Sequence, residues 1–482
     1  MTMKIGSLVR LLAVSMLAFA GCDEDETTAP APPPGPPNTG TANFTRYVAV
    51  GDAHTAGFQS NALSARDQVS SYPALIAGQV QTGFDQPLFI DPGVGSRQRL
   101  VSLTGPVIVS EQSVFPANPQ PWVNQPTPPR PYNNLGIPGA VTGDLLFTTN
   151  FAAQAAPPRS NPFFLLILRD SVNLGRTILA QSRVLQPTFV TLWIGNNDVL
   201  GYVTSGGTSG SDATRLLPTE GPVFDALFAR VLDSLLATGA KVVAANLPDV
   251  EFLPFVTTVN PSVRPKLPPG VWLRYQKSGN SGPSFDSTRL DQPGDPSMLL
   301  SGNTYAGLLG KVGGQGAGKY YQDRGLAPPP GIDTTKPFGF HPQNPWPNAL
   351  TFDSGEKSIA NAAVASFNGS IATRAAARGV PVVDLNRLFD TVTVRGVYVP
   401  GLGSFGPAFI TGGTYSYDGV HPTSRGYALV ANEFIKTINA SFGAAIPQVP
   451  VGSAPGIPIG KVAVRDPQFG DLSWMVRLLS GG

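Results

Sequence analysis

The strongest chemical signal in the chain is Asp418-Gly419-Val420-His421. On a loop that enters a helix, an aspartate three residues before a histidine can hold the imidazole Nδ1–H and leave Nε2 as a general base. His421 is one of three histidines, the others being His54 and His341. Three further stretches carry residues at suggestive spacing. Gly195-Asn196-Asn197-Asp198 follows an apolar run, and read alone it is an Asn-rich turn at a strand end. Asn133-Asn134-Leu135-Gly136-Ile137-Pro138-Gly139-Ala140 reads alone as a Gly-Pro turn. Tyr47-Val48-Ala49-Val50-Gly51-Asp52-Ala53-His54-Thr55-Ala56-Gly57-Phe58 reads as a buried strand, a tight turn and a helix start. Three scattered histidines and one cysteine give no metal-ligand spacing, and no phosphate-cradling glycine loop occurs, so neither metal nor cofactor is expected.

The remaining sequence supplies elements to position these residues. Strands are expected at 46–51, 187–194, 241–250 and 380–385. Helices are expected at 70–77, 170–186, 222–237, 354–378 and 424–442. In the third of these, Val223, Leu227, Val231 and Leu235 share one side. Strands alternating with helices imply right-handed crossovers and a parallel sheet covered on both faces, the three-layer α/β/α sandwich of the α/β class. Two regions break the alternation. Residues 80–132 read as a long Pro- and Gly-rich excursion. Residues 260–350 read as an insertion over the active-site end, either a lid or substrate platform or an inert elaboration that closure entropy tolerates. Its aromatics, Trp272, Tyr275, Tyr320, Tyr321 and Trp346, line a glycan cleft on one reading and form the insertion's own core on the other. Residues 205–215 read as a loop.

Four stretches, 47–57, 133–140, 193–198 and 418–427, together and in this order resemble the motif blocks of the SGNH/GDSL hydrolases. The family's first block is Gly-Asp-Ser-x-x-x-Gly, with the serine as nucleophile. Here it is Gly51-Asp52-Ala53-His54-Thr55-Ala56-Gly57, so Ala53 occupies the nucleophile position. The resemblance implies a flavodoxin-like parallel sheet and the hydrolysis of carboxylic esters, from lipids to acetylated carbohydrates. It implies a base at His421 oriented by Asp418. It also implies an oxyanion hole from the Ala53 N–H, the Gly139 N–H (Gly136 as fallback) and the Asn197 side chain. Asn246-Leu247-Pro248-Asp249-Val250 resembles a further, less specific segment. Two of the three oxyanion donors are backbone groups indifferent to residue type, so only the nucleophile oxygen is lacking. Three explanations compete. The chain is a pseudoenzyme that binds acyl or glycan ligands, or His421 activates a water held where the serine oxygen would sit, or Thr55 substitutes. The turn into the helix aims Thr55 elsewhere. His54 fills or polarises the site, or faces solvent.

Composition bounds the partners. With 482 residues and 41% hydrophobic content the chain supports a large core, while 54 glycines and 49 prolines predict many turns and long loops. The net charge is +2, and residues 1–21 contribute Lys4 and Arg10, leaving 31 bases against 31 acids. No basic stripe is present, and nucleic acid is not an expected partner. Residues 1–21 read as a secretory signal with the apolar run from Leu11 to Ala20. Phe19-Ala20-Gly21-Cys22 resembles a bacterial lipoprotein box, which implies acylation of Cys22, the sole cysteine, and membrane attachment at the cell envelope, the outer membrane or cell surface before the inner membrane. Residues 22–43 then form an acidic and Pro-rich tether, 44–445 the hydrolase-like domain, and 446–482 a C-terminal tail. The expected partner is an ester-bearing lipid or acylated carbohydrate.

Overall fold

Uncharged runs rich in β-branched residues form strands that bury both faces, and such runs make the centre of this protein. The computed structural model describes residues 35–102, 107–112, 126, 129–150, 161–169, 171–208, 217–277, 285–288 and 295–456. Five strands, β1 (Tyr47–Gly51), β2 (Asn134–Gly136), β3 (Phe189–Trp193), β4 (Lys241–Ala245) and β5 (Val382–Val383), form one sheet. Their order is β2-β1-β3-β4-β5, and every neighbouring pair is parallel. This is the flavodoxin-like order. It reverses direction between β1 and β3, so a crevice opens at the carboxyl ends of those two strands. Gly51 lies opposite Trp193 on one side and Gly136 on the other, which brings three of the four motif stretches to that crevice.

The helices around the sheet that bear on the site are α1 (Ala53–Ala56), α2 (Tyr72–Gln79), α3 (Ile178–Val184), α4 (Asn197–Thr204), α5 (Gly221–Leu236), α6 (Ser354–Ala376), α7 (Leu385–Val394) and α8 (Ser424–Phe442). All residues of β1 and β3 are buried, so both sheet faces are covered. α2 packs with α8, the Tyr72 ring stacking on Phe434 at 4.6 Å. α5 packs with α3 and α6, and Phe224 stacks on Phe367 at 4.1 Å. A capping box starts α6. Asp353 accepts from the Glu356 N–H and the Glu356 carboxylate accepts from the Asp353 N–H.

Several expectations are corrected. The helix expected over 170–186 is two pieces, Ser171–Leu174 and α3, parted at Gly175 with φ +104°. The strand expected over 241–250 ends at Ala245, and the one over 380–385 is only two residues long, because Asp384 caps α7. The excursion at 80–132 holds an antiparallel pair, Val94–Ser102 with Val107–Gln112. The insertion has its own strand pair and packs into the main core. Leu273–Gln276 pairs with Phe285–Thr288, and fully buried Trp346 stacks on Phe338 and donates its Nε1–H to the Leu350 carbonyl at 2.9 Å. Tyr275, Tyr320 and Tyr321 are buried as well, and only Trp272 is exposed. Core packing, not a glycan cleft, therefore accounts for Tyr275, Tyr320, Tyr321 and Trp346.

The start of the C-terminal tail docks on α8. Asn432 and Asn439 each exchange two hydrogen bonds with the backbone of Val449 and Ile446. The end of the tether also reaches α8, with the Thr41 N–H donating to the Phe442 carbonyl at 2.8 Å. The expected signal peptide, Cys22, most of the tether and residues 457–482 lie outside the described residues. Among the described residues no helix is long and apolar enough to cross a membrane.

Candidate active site

The turn after β1 is set by close packing. A side chain at Gly51 would meet the Trp193 carbonyl and Thr55 Oγ1 at 2.2 Å, and one at Gly136 would meet the Ala56 amide nitrogen at 2.3 Å. Glycine at both positions lets α1 sit against β2. The Gly136 N–H donates to Asn134 Oδ1 at 3.0 Å, so this glycine serves packing and the fallback oxyanion role is removed. Gly139 lies three residues on at φ +77°, in a loop fastened at both ends. The Ile137 N–H donates to the Gly51 carbonyl at 3.1 Å, and Asp198 accepts from the Thr142 N–H and Oγ1 at 2.8 and 2.9 Å. Asp198 also accepts from Thr219 Oγ1 at 2.8 Å. Burial pushes its carboxyl up to about 6, against the lowering by these three bonds.

Asp418 is fully buried and accepts four hydrogen bonds. Oδ1 takes the Val420 and His421 N–H groups at 2.9 and 2.8 Å. Oδ2 takes the Asn61 N–H at 3.0 Å and His421 Nδ1 at 3.1 Å. Burial alone would raise this carboxyl, but His421 and the surrounding N–H donors outweigh it and hold it below the ordinary aspartate range. A carboxylate only accepts, so the His421 proton sits on Nδ1 and Nε2 carries the lone pair. Nε2 is buried and has no hydrogen-bond partner. Gly419, at φ +72°, is required here because a side chain would meet the Phe255 amide nitrogen and Leu300 Cδ2 at 2.9 Å.

The support for Asp418 comes from the excursion. Arg97 makes a buried two-pronged bond to Asp67, with contacts of 2.8 to 3.1 Å. The neighbouring Gln98 N–H donates to the Ser60 carbonyl at 2.7 Å, and the Ser60 N–H donates to Ser416 Oγ at 2.8 Å. Ser60 and Asn61 both take positive φ, 51° and 63°, in the turn that presents the Asn61 N–H to Asp418.

A second aspartate–histidine pair stands beside the first. Asp52 Oδ1 caps α1 by accepting the His54 N–H at 2.9 Å, and the same oxygen accepts His54 Nδ1 at 3.1 Å. Oδ2 accepts from Asn196 Nδ2 at 2.9 Å. The His54 ring lies 4.9 Å from the His421 ring and 4.6 Å from Trp193. Burial pushes the His54 imidazole below its ordinary range, overcoming the raising influence of Asp52. His54 is therefore buried and neutral at pH 7, not turned to solvent.

A pocket opens on His54. Its wall is Asn196, Leu200, Pro248, Asp249, Val250, Leu253, Phe389, Tyr415 and Val420. Asn197, the expected oxyanion donor, gives an Nδ2 hydrogen to the Ala140 carbonyl at 3.0 Å, and its Oδ1 is buried without a partner. Ala53 is buried in α1. Thr55 Oγ1 lies 3.2 Å from the Tyr72 hydroxyl, away from the aspartate–histidine pairs in its hydrogen bonding. Asp52, Asn196 and the Asn61 N–H were not legible as site groups. The only sequence signals were that Asp52 lies within a motif and that Asn196 precedes the chosen Asn197. Among the described residues no three His, Cys, Asp or Glu side chains group as metal ligands.

No family model matches the chain, and no curated protein matches it. Among solved structures, a phospholipase A1 from Streptomyces albidoflavus NA297 is similar at 14% identity and a TM-score of 0.32, covering 82% of this chain and 98% of that one. An extracellular lipase from Streptomyces rimosus is similar at 17% identity and 0.32, with the same coverage. A lipase/acylhydrolase from Enterococcus faecalis stands at 10% and 0.24, covering 65% of this chain and 77% of that one.

Proposed function

We propose that this chain is an esterase-like hydrolase whose native turnover runs on water, with no covalent serine intermediate. The observation that carries the reading is the buried Asp418–His421 pair, with Nδ1 held at 3.1 Å and Nε2 unpartnered. Asp418 and His421 stand where they would orient and deprotonate a serine at position 53, which in this chain is Ala53. The Ala53 N–H, the Gly139 N–H and the Asn197 amide are the proposed oxyanion donors. The Asn197 amide serves with the hydrogen not given to Ala140. The substrate is a neutral ester of a lipid or an acylated carbohydrate. A lipid on Cys22 holds the enzyme at the bacterial cell envelope.

The test is hydrolysis of p-nitrophenyl butyrate by the purified native chain, Ala53→Ser and Ala53→Ser/His421→Ala. Slow native turnover is expected, with a gain in Ala53→Ser that the added His421→Ala removes by roughly 10²–10⁴-fold, the usual worth of a general base. An inert native chain beside an active Ala53→Ser replaces this reading with a ligand-binding one. A gain that survives loss of His421 refutes the assignment of the base.

A further inference from the structure

We propose that in the native chain the base that activates water is His54, oriented by Asp52, and that the pocket beside it takes the apolar acyl chain of a neutral ester. This rests on the hydrolase reading above and names the base and substrate class of the same site. The two imidazoles are anchored alike, each with Nδ1 at 3.1 Å from an aspartate oxygen, so each presents Nε2 as an acceptor. They differ in where they face. The His421 side chain is 1% exposed and is not part of the pocket wall, whereas His54, at 7%, forms part of it. A substrate in the pocket meets His54 first.

The wall matches an acyl chain. Leu200, Val250, Leu253, Phe389 and Val420 are apolar, and the polar groups beside them are on His54, Asn196, Asp249 and Tyr415. Asn196 Nδ2 gives one hydrogen to Asp52 and keeps a second for a carbonyl oxygen that gains charge. Asp249 disfavours an anion in the pocket, so neutral esters enter and carboxylate products leave. In the reaction, His54 Nε2 takes a proton from water while the water oxygen bonds to the ester carbonyl carbon. The tetrahedral intermediate then expels the alkoxide, which takes the proton back from the imidazolium. Ester and water become acid and alcohol, and His54 is regenerated neutral.

Kinetics on p-nitrophenyl acetate, butyrate and octanoate test the base and the pocket together. His54→Gln should cost the native chain about 10²-fold or more in kcat. Asp52→Asn should move the acid limb of the pH profile to lower pH, because an anion that favours imidazolium is gone. For the native chain kcat/KM should rise about fourfold per methylene while the chain lies inside the pocket. Native turnover that survives His54→Gln and vanishes in His421→Gln overturns the assignment while leaving the hydrolase reading intact. An inert native chain overturns both. A readout independent of turnover is carbethoxylation by diethyl pyrocarbonate, followed by peptide mass spectrometry. His54 should react, 2-octanone should protect it, and Leu253→Trp, which fills the pocket, should abolish the protection. Absence of protection in the native chain overturns the acyl pocket.

Discussion

The two aspartate–histidine pairs use the same chemistry and are built in different ways. Asp418 is closed in by backbone. Three of its four donors are main-chain N–H groups, one of them from Asn61, 357 positions away in sequence. Asp52 takes one main-chain N–H, and its second oxygen is held by the Asn196 side chain. The first pair is thereby sealed inside a turn braced by the Arg97–Asp67 bond, and the second stands on the wall of the pocket. The difference teaches that an Asp–His spacing identifies a candidate base, while the side on which the ring is left open decides what that base can touch.

The comparison can be broken first through stability. Asp418→Ala strands four donors in a buried site and should cost about 3–5 kcal/mol. Asp52→Ala strands fewer main-chain groups and should cost about 2–3 kcal/mol. Urea denaturation of both variants checks this, and a larger loss at Asp52 would contradict the view that Asp418 is the more tightly built anchor.

Asp198 sharpens the comparison as a buried carboxylate with no imidazole. Its carboxyl is raised from 3.8 to about 6, so it binds a proton more readily in the fold than in the unfolded chain. Its contribution to stability is complete below the unfolded value and lost as pH rises through about 6. The stability of the native chain relative to Asp198→Asn should fall by about 2.4 kcal/mol between pH 4 and pH 7. Asp418 has the opposite sign. Its carboxyl is lowered, so its contribution is present above the unfolded value and lost as pH falls through the folded one. Equilibrium unfolding across pH separates the two, and a flat Asp198 difference would mean that its three hydrogen bonds compensate burial fully.

The smallest expected effect concerns Thr55, the hydroxyl nearest in sequence to Ala53. Thr55→Val removes the bond to Tyr72 and should cost about 1 kcal/mol while leaving ester turnover unchanged. Lost turnover at full stability would return Thr55 to the list of nucleophiles.

What was legible followed from local patterning. The uncharged run before Gly195 reads as a strand buried on both faces and forms β3, and α8 runs over the residues at which it was expected. The antiparallel pair Val94–Ser102 and Val107–Gln112 was illegible because its buried positions include Arg97 and Gln98. Their burial depends on partners distant in sequence, so no apolar alternation marks the strand. α7 was missed although Leu385, Leu388, Phe389 and Val392 have helical spacing, because the expected strand extended into its first residue.

The sequence by itself determined the alternating framework, the order of the four stretches and the alanine at position 53. These are properties of residue type and spacing along the chain. Only the tertiary structure decided that Asp52 holds His54, that Asn196 braces Asp52 while Asn197 turns to Ala140, and that the pocket opens on His54. The physical reason is that the carboxyl ends of β1 and β3 meet at the sheet's switch point. Groups with no regular spacing in sequence are there forced to satisfy one another's hydrogen bonds out of water.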